Sequence, residues 1–320
     1  MKKVNMVKYL MNILPNKPKF QEYHFVQELF RHPKYISMNK NEKEMFYERL
    51  VNNNIREENI KPFDLFFPSF DFKSILEGKR ILDLGCGIGG HTISMGESWN
   101  VKEFYGIDFN HENIVVANHY ITKNPLNTNY YFTQGYVEKM PYENNFFDAI
   151  VSHDVLEHVR SVEETLLECI RILKTNGYAF LVFPSIKLPF EGAHVSSVTK
   201  MPFMEWFFSP TTINDAYNEI INEWGDELNW FKPTEETKGE WAVVKGGIGV
   251  NGTRYNDFMT AAKKVGFSYV SFVKIPLLYV SDTAIKYPFV KFFSFLLKPL
   301  LSVNHFKDYL TQRLVFVVKK

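Results

Sequence analysis

A chain of 320 residues buries a large core and exceeds the usual size of one domain, so one elaborated domain or two is expected. A formal net charge of +1 gives no support to a nucleic-acid-binding surface, which normally carries a basic excess. Two cysteines, Cys86 and Cys169, argue against a disulfide framework and fit a reducing, cytoplasmic compartment.

The opening stretch "MKKVNMVKYLMNILP" has the outline of a secretory signal. Asn5, Lys8 and Asn12 interrupt its apolar runs, however, and no small-residue cleavage site follows. Val4, Val7, Leu10, Met11 and Leu14 recur at helical spacing opposite those polar residues, which predicts an amphipathic helix. No stretch reaches the ~18 uninterrupted apolar residues of a membrane span. Residues 1–60 read as a helical extension rich in Asn, Lys and Glu.

Strands and helices then alternate over a core predicted at 61–185. "RILDL" (80–84) is a strand, and the glycine-rich loop after it opens a helix. "EFYGI" (103–107) is a second strand, followed by the helix "HENIVVANHYI". "YYFTQ" (130–134) and "FDAIVS" (147–152) are further strands. Ser161 and Glu164 have the spacing of a capping box for the helix "VEETLLECIRIL", and "YAFLVF" (178–183) is a buried fifth strand. This alternation predicts an α/β fold, a parallel sheet with helices on both faces. Residues 186–252 are irregular, rich in Pro, Gly, Trp and Phe, with one helix expected at "TINDAYNEIINEW". They read as an insertion, a substrate lid over the functional edge of the sheet. Residues 253–320 return to regular structure: a helix "RYNDFMTAAKKVGF", a strand "YVSFVKIPLLYV" and a last strand "RLVFVVKK".

The loop "DLGCGIGG" sits where an open parallel sheet binds its ligand. Gly85, Gly87 and Gly90 match G-x-G-x-x-G, a spacing that suits NAD and S-adenosylmethionine equally. Asp83 separates the two. Its carboxylate would repel the pyrophosphate of a dinucleotide and would favour a ligand carrying an amino group and a sulfonium. The plain structural reading, a strand-end Asp that caps the following turn, stands beside it. Asp108, at the end of the second strand, is positioned to accept both hydroxyl protons of a ribose.

With these residues in hand, the chain resembles the class I S-adenosylmethionine-dependent methyltransferases, in the broad group related to the ubiquinone-biosynthesis methyltransferases. The resemblance runs over residues 79–184 through "ILDLGCGIGG", "YGIDFN", "MPYENNFFDAIVSHDVLEHV" and "RILKTNGYAFLVF", in family order. It implies a Rossmann-like seven-stranded sheet with the last strand inserted antiparallel, and S-adenosyl-L-methionine as cofactor. It further implies that Asp83 and the loop Gly85–Cys86–Gly87 cradle the methionine end. Asp108 would hold the ribose, with Phe109, Tyr136 and Val137 around the adenine. The family usually has an acidic residue where this chain has Tyr136, so stacking or a backbone contact replaces that hydrogen bond. His153 and Asp154 border the cofactor and the substrate entrance.

Methyl transfer is an in-line displacement that needs orientation, a dry pocket and sometimes a base. "HDVLEHV" offers His153, Asp154, Glu157 and His158. Asp154, Glu157 and His158 stand at i, i+3 and i+4, one face of a helix, which suits a general base, a divalent metal or a purely structural role. A metal-independent enzyme is expected. In the insertion, His194 with Glu191 beside a Trp/Phe-rich run is the third candidate facing the substrate. The expected acceptor is a small molecule methylated on oxygen: a saccharide, a lipid-linked compound or a secondary metabolite. The rivals are a nicotinamide-dependent oxidoreductase and a non-catalytic methyltransferase-like scaffold.

The composition leaves one open question. Phenylalanine is unusually frequent at 30, which points either to a Phe-rich core or to aromatic pockets and extra apolar surface. Residues 287–306, "YPFVKFFSFLLKPLLSVNHF", concentrate it: a helix there carries a narrow polar stripe of Lys291, Ser294 and Lys298. So wide an apolar surface is expected to pack over the active-site side of the sheet. A dimer contact and a membrane-surface contact are the alternatives.

Overall fold

The computed structural model describes residues 2–20, 26–189, 195–230 and 250–320. Seven strands form one sheet: β1 (Arg80–Leu84), β2 (Glu103–Asp108), β3 (Asn129–Gln134), β4 (Phe147–His153), β5 (Leu173–Phe183), β6 (Tyr269–Val273) and β7 (Leu314–Lys319). Their order is β3-β2-β1-β4-β5-β7-β6. The first five run parallel, and β7 lies antiparallel between β5 and β6. The strand order reverses on either side of β1, which opens a crevice beyond the ends of β1 and β4.

Helices of eight or more described residues are α1 (Lys2–Met11), α2 (Lys40–Ile60), α3 (Gly90–Trp99), α4 (His111–Lys123), α5 (Val162–Ile172), α6 (Pro210–Glu223), α7 (Tyr255–Val265) and α8 (Pro288–Phe295). Local chemistry sets their ends. Asn110 caps α4 by accepting from the Asn113 amide, and Ser209 caps α6 with Pro210 in the first turn. Ser161 caps α5 by accepting from the Glu164 amide. Gly266 ends α7 at φ 95°.

Alternate residues of each strand feed two apolar layers. One face holds Ile81, Phe104, Phe180, Val182 and Val317 against Phe63, Phe67, Phe72 and Trp99. There Phe72 stacks on Trp99 with ring centroids 4.8 Å apart, and Phe67 meets Phe180 edge-on at 5.3 Å. The other face holds Leu82, Ile107, Ile150, Leu181 and Phe316 against Leu166, Cys169 and Phe258. A third cluster joins Val7 and Met11 of α1 to Ile213, Tyr217 and Ile220 of α6. Parts of the N-terminal extension and of the insertion, far apart in sequence, thus share one core.

Two expectations are corrected here. The strand read over 269–280 stops at Val273, and Pro276, which has no amide to offer a ladder, makes only an isolated bridge to Thr311. The helix in 287–306 forms as α8, but its apolar side chains are not packed on the core. Phe289, Phe292, Phe293, Phe295 and Leu296 are exposed, and Ser294 of the polar stripe is the buried residue. Both readings of the phenylalanine excess therefore hold, in different parts of the chain.

Candidate active site

The loop after β1 is pinned by β2: the Gly85 and Cys86 amides donate to the Ile107 carbonyl at 2.8 and 3.1 Å. Gly85 sits at φ 69°, and a β-carbon there would lie 2.3 Å from Val155 Cγ2. The backbone turns left-handed and approaches the loop after β4 in the same residue, which only glycine permits. Cys86 is buried with Sγ toward Gly106, and burial, with Asp108 and Asp83 nearby, pushes its thiol well above the ordinary range. It is a packing residue rather than a thiolate.

Two adjoining hollows meet at Gly85 and Asp154. The first is lined by Asp108, Phe109, Gly135, Tyr136, Val137, Glu138, Val155, His158, Val159 and Arg160. Asp108 is buried there. Its Oδ2 accepts from the Gly87 amide at 3.0 Å, and Oδ1 accepts from the Asn110 amide at 2.9 Å and from Asn113 Nδ2 at 3.1 Å. The carboxylate thus welds β2 to the glycine loop and still lines the hollow. Tyr136 presents an exposed ring, with the Arg160 guanidinium 5.5 Å from its centre. Glu138, two residues after Tyr136, is the acidic lining group on this side, and its Oε1 accepts from the Arg160 amide at 2.8 Å.

The second hollow is lined by Glu58, Phe63, Asp83, Cys86, His91, Met95, Val151, Ser152 and His153. Asp83 is buried and accepts from the Thr92 hydroxyl at 2.6 Å. Burial raises its pKa to about 7; the Thr92 bond and His91 oppose the rise, while Glu58 and Asp108 add to it. His91 Nδ1 lies 3.1 Å from Glu58 Oε2. Burial alone would lower the His91 pKa, but the Glu58 carboxylate, with Glu57 and Asp83, leaves it raised. His153 closes the floor, its ring edge-on to Phe66 at 5.2 Å and Phe63 at 5.9 Å. Burial lowers its pKa, Asp154 opposes and Arg313 adds to the fall, so the imidazole is neutral at pH 7.

Of the residues singled out from sequence, Asp83, Gly85, Cys86, Asp108, Phe109, Tyr136, Val137, His153, Asp154 and His158 all line these hollows. Gly87 enters through the hydrogen bond that its backbone N–H donates to Asp108. Glu191 and His194 lie outside the described residues. One reading is corrected. Asp154, Glu157 and His158 do not share a helix face, because residues 154–160 are a loop with a turn at 156–158 and Asp154 adopts φ 55°. Its carboxylate meets Arg313 instead, Nε to Oδ1 at 3.0 Å. Glu157 Oε1 lies 3.7 Å from His158 Nε2. Among the described residues no group of three or more His, Cys, Asp and Glu side chains converges to hold a metal ion. Glu58, His91 and Arg313 escaped the sequence reading. His91 stands inside the quoted glycine motif, but its partner is 33 residues away on α2.

Sheet order, glycine loop and the buried carboxylates at the carboxyl ends of β1 and β2 define a class I methyltransferase domain. The comparisons agree: residues 75–232 match the family model described as a methyltransferase domain. Over these residues the chain is an S-adenosylmethionine-dependent methyltransferase domain, a class that uses S-adenosyl-L-methionine. It is 33% identical over 103 residues to the sterol 24-C-methyltransferase erg6 of Schizosaccharomyces pombe, covering 32% of this chain and 27% of that protein. It is 32% identical over 108 residues to the ubiquinone biosynthesis O-methyltransferase of Dechloromonas aromatica, covering 33% of this chain and 44% of that protein. The matches thus span less than half the length of either curated relative. A solved S-adenosylmethionine-dependent methyltransferase from Mesorhizobium loti superposes with a TM-score of 0.46 at 15% identity, covering 80% of this chain and 95% of that one.

Proposed function

We propose that this chain transfers a methyl group from S-adenosylmethionine to a small-molecule acceptor. One observation carries the reading: the second hollow is lined by the carboxyls of Asp83 and Glu58, both buried, with Asp108 buried in the hollow next to it. Desolvated carboxyls repel a pyrophosphate and gain energy from an ammonium or sulfonium. The residues therefore fit the methionine end of this cofactor and oppose a dinucleotide.

Bound S-adenosylmethionine supplies an electrophilic methyl on a sulfonium. Asp108 accepts the ribose hydroxyls, while Phe109, Tyr136 and Val137 contact the adenine. Asp83, Gly85 and Gly87 face the methionine end. Cys86 supports the loop from beneath. His153, neutral at pH 7 and walled by Phe63 and Phe66, is the base for an acceptor hydroxyl. His158 lines the other hollow beside Asp108 and Tyr136, where it positions the nucleoside. Asp154, held by Arg313, borders both hollows.

Oxygen is the proposed acceptor atom, on a saccharide, lipid-linked or secondary-metabolite compound in the cytoplasm. Carbon is the second reading, favoured by the similarity to sterol 24-C-methyltransferases. Calorimetry with S-adenosylmethionine, its demethylated product and NAD tests the cofactor end. The first two should bind and NAD should not, and Asp108→Ala should weaken binding by ~1.5–3 kcal/mol. Unchanged affinity in that variant removes Asp108 from the site. Product analysis after an acceptor screen then distinguishes oxygen from carbon.

A further inference from the structure

We propose that the segment around α8 docks this chain onto anionic lipid surfaces. The observation is an inverted helix. Phe292 and Phe293 are each 63% exposed, whereas Ser294 is 7% exposed and its hydroxyl donates to the Leu277 carbonyl. A helix on a protein surface normally turns its apolar stripe inward and its polar residues to water. Here the folded protein uses the polar residue as its anchor and turns the aromatic rings outward. Phe289, Phe295 and Leu296 continue the patch, and Leu300 and Val303 extend it past Pro299.

Charge identifies the occupant. From residue 283 to 307 the chain carries lysines and no Asp or Glu. Lys286, Lys291 and Lys298 stand among the exposed rings, with Lys298 Nζ 5.0 Å from the centre of the Phe295 ring and Lys291 Nζ 4.5 Å from that of Tyr279. A second copy meeting this face through a two-fold axis would set these cations against their own images, with no carboxylate in the segment to pair them. An anionic bilayer pairs all of them and accepts the phenylalanines into its acyl boundary, the pattern of an interfacial helix. Eight residues are too few to span, since a spanning helix needs about 20. The element therefore lies in the plane of the interface.

Its place in the fold relates it to the cleft. Val273 of β6 pairs with Val315, and Phe183 of β5 pairs with Leu314, so residues 274–313 leave and rejoin the sheet at the carboxyl end of the parallel strands. That is the end where Asp83, His153 and the two hollows lie. The segment closes on Arg313, which holds Asp154 of the cleft. Docking through α8 would bring a lipid surface to the ligand side of the molecule.

Flotation of the full chain with extruded vesicles tests this, using phosphatidylcholine alone and phosphatidylcholine with about 30% phosphatidylglycerol. The protein should float with the anionic vesicles and remain largely below with the neutral ones. Phe292→Glu with Phe293→Glu should reduce binding at least about tenfold. Replacing Lys286, Lys291 and Lys298 by Ala should reduce it about a hundredfold, at about fivefold per lysine. Each variant is checked by circular dichroism, and all the altered positions except Lys291 are well exposed. Phe292→Trp in an otherwise native chain gives a second reading: its emission should shift to the blue with anionic vesicles only. Absence of both flotation and blue shift overturns the proposal, as does flotation undiminished in the double Glu variant. A dimer that dissociates in that variant, without vesicle binding in the native chain, overturns it in favour of a second copy.

Discussion

Arg313 and Asp154 form a two-point ion pair, Nε to Oδ1 at 3.0 Å and Nη2 to Oδ2 at 3.3 Å, that joins the start of β7 to the turn after β4. Asp154 lines both hollows and holds φ 55°, a strained backbone for a non-glycine residue. The antiparallel strand that completes the sheet therefore also fixes the rim of the cleft. Arg313→Met should weaken S-adenosylmethionine binding about fivefold, the ~1 kcal/mol scale of a partly exposed pair, measured by calorimetry. Arg313→Lys keeps the charge but not the planar fork, so it should recover only part of that loss. Equal affinity in all three proteins would detach Arg313 from the site.

Asp83 makes the affinity depend on pH. Burial pushes this carboxyl from its ordinary 3.8 to about 7, so the cofactor-free fold holds the proton more tightly than the unfolded chain does. The stability linked to that proton is fully present below the unfolded pKa and is lost as pH rises toward about 7. A ligand bearing an ammonium and a sulfonium favours the ionised form, so binding should expel the proton. S-adenosylmethionine affinity should rise between about pH 5 and 7 and then level off. Calorimetry in buffers of different ionisation enthalpy reads the proton directly. Asp83→Asn should bind more weakly and flatten the profile, and an unchanged slope in that variant would assign the proton elsewhere.

The close approach at Gly85 sets a third expectation. Alanine there meets Val155 Cγ2 at 2.3 Å and must hold φ 69°. Together the backbone strain and the clash should cost about 2–4 kcal/mol, read by urea unfolding. Adding Val155→Ala should restore the part due to the clash and leave the part due to the backbone. A double variant no more stable than the single one would show that Val155 is not the obstacle.

Legibility followed the range of the interaction. Asp83 and Asp108 stood out because each sits at a fixed step from a glycine loop or a strand end, a pattern contained within a few residues. Glu58 with His91 and Asp154 with Arg313 did not, because their members lie 33 and 159 residues apart and only the fold brings them together. The "HDVLEHV" string has the spacing of a helix face, yet it forms a loop in which Asp154, at positive φ, pairs with Arg313 while Glu157 and His158 stay side by side. At α8 periodicity places Lys291 and Ser294 on one stripe, but the helix ends at Phe295, so Lys298 falls beyond it and is exposed. Periodicity does not say which stripe faces in. The rule that the apolar side is buried fails there because Ser294 binds the Leu277 carbonyl.

The last expectation separates His153 from His158, the two candidate catalytic histidines that lie within the described residues, by chemistry. His153 shares its hollow with Asp83 and Glu58 and is walled by Phe63 and Phe66, whereas His158 shares the other with Asp108 and Tyr136. A base must sit at the reacting end, so the proposal gives the proton to His153 and the nucleoside to His158. Burial lowers the His153 pKa below its ordinary 6.5, so the imidazole is ready to accept a proton across neutral pH. With an oxygen acceptor and saturating S-adenosylmethionine, kcat/KM for the acceptor should therefore fall on an acid limb below 6.5 and stay flat from there to mild alkali. His153→Gln should lower kcat by about 10²–10⁴ and abolish that limb, with S-adenosylmethionine affinity little changed. His158→Gln should do the reverse, weakening cofactor binding and keeping the limb. If the limb survives His153→Gln and disappears with His158→Gln, the two roles are exchanged.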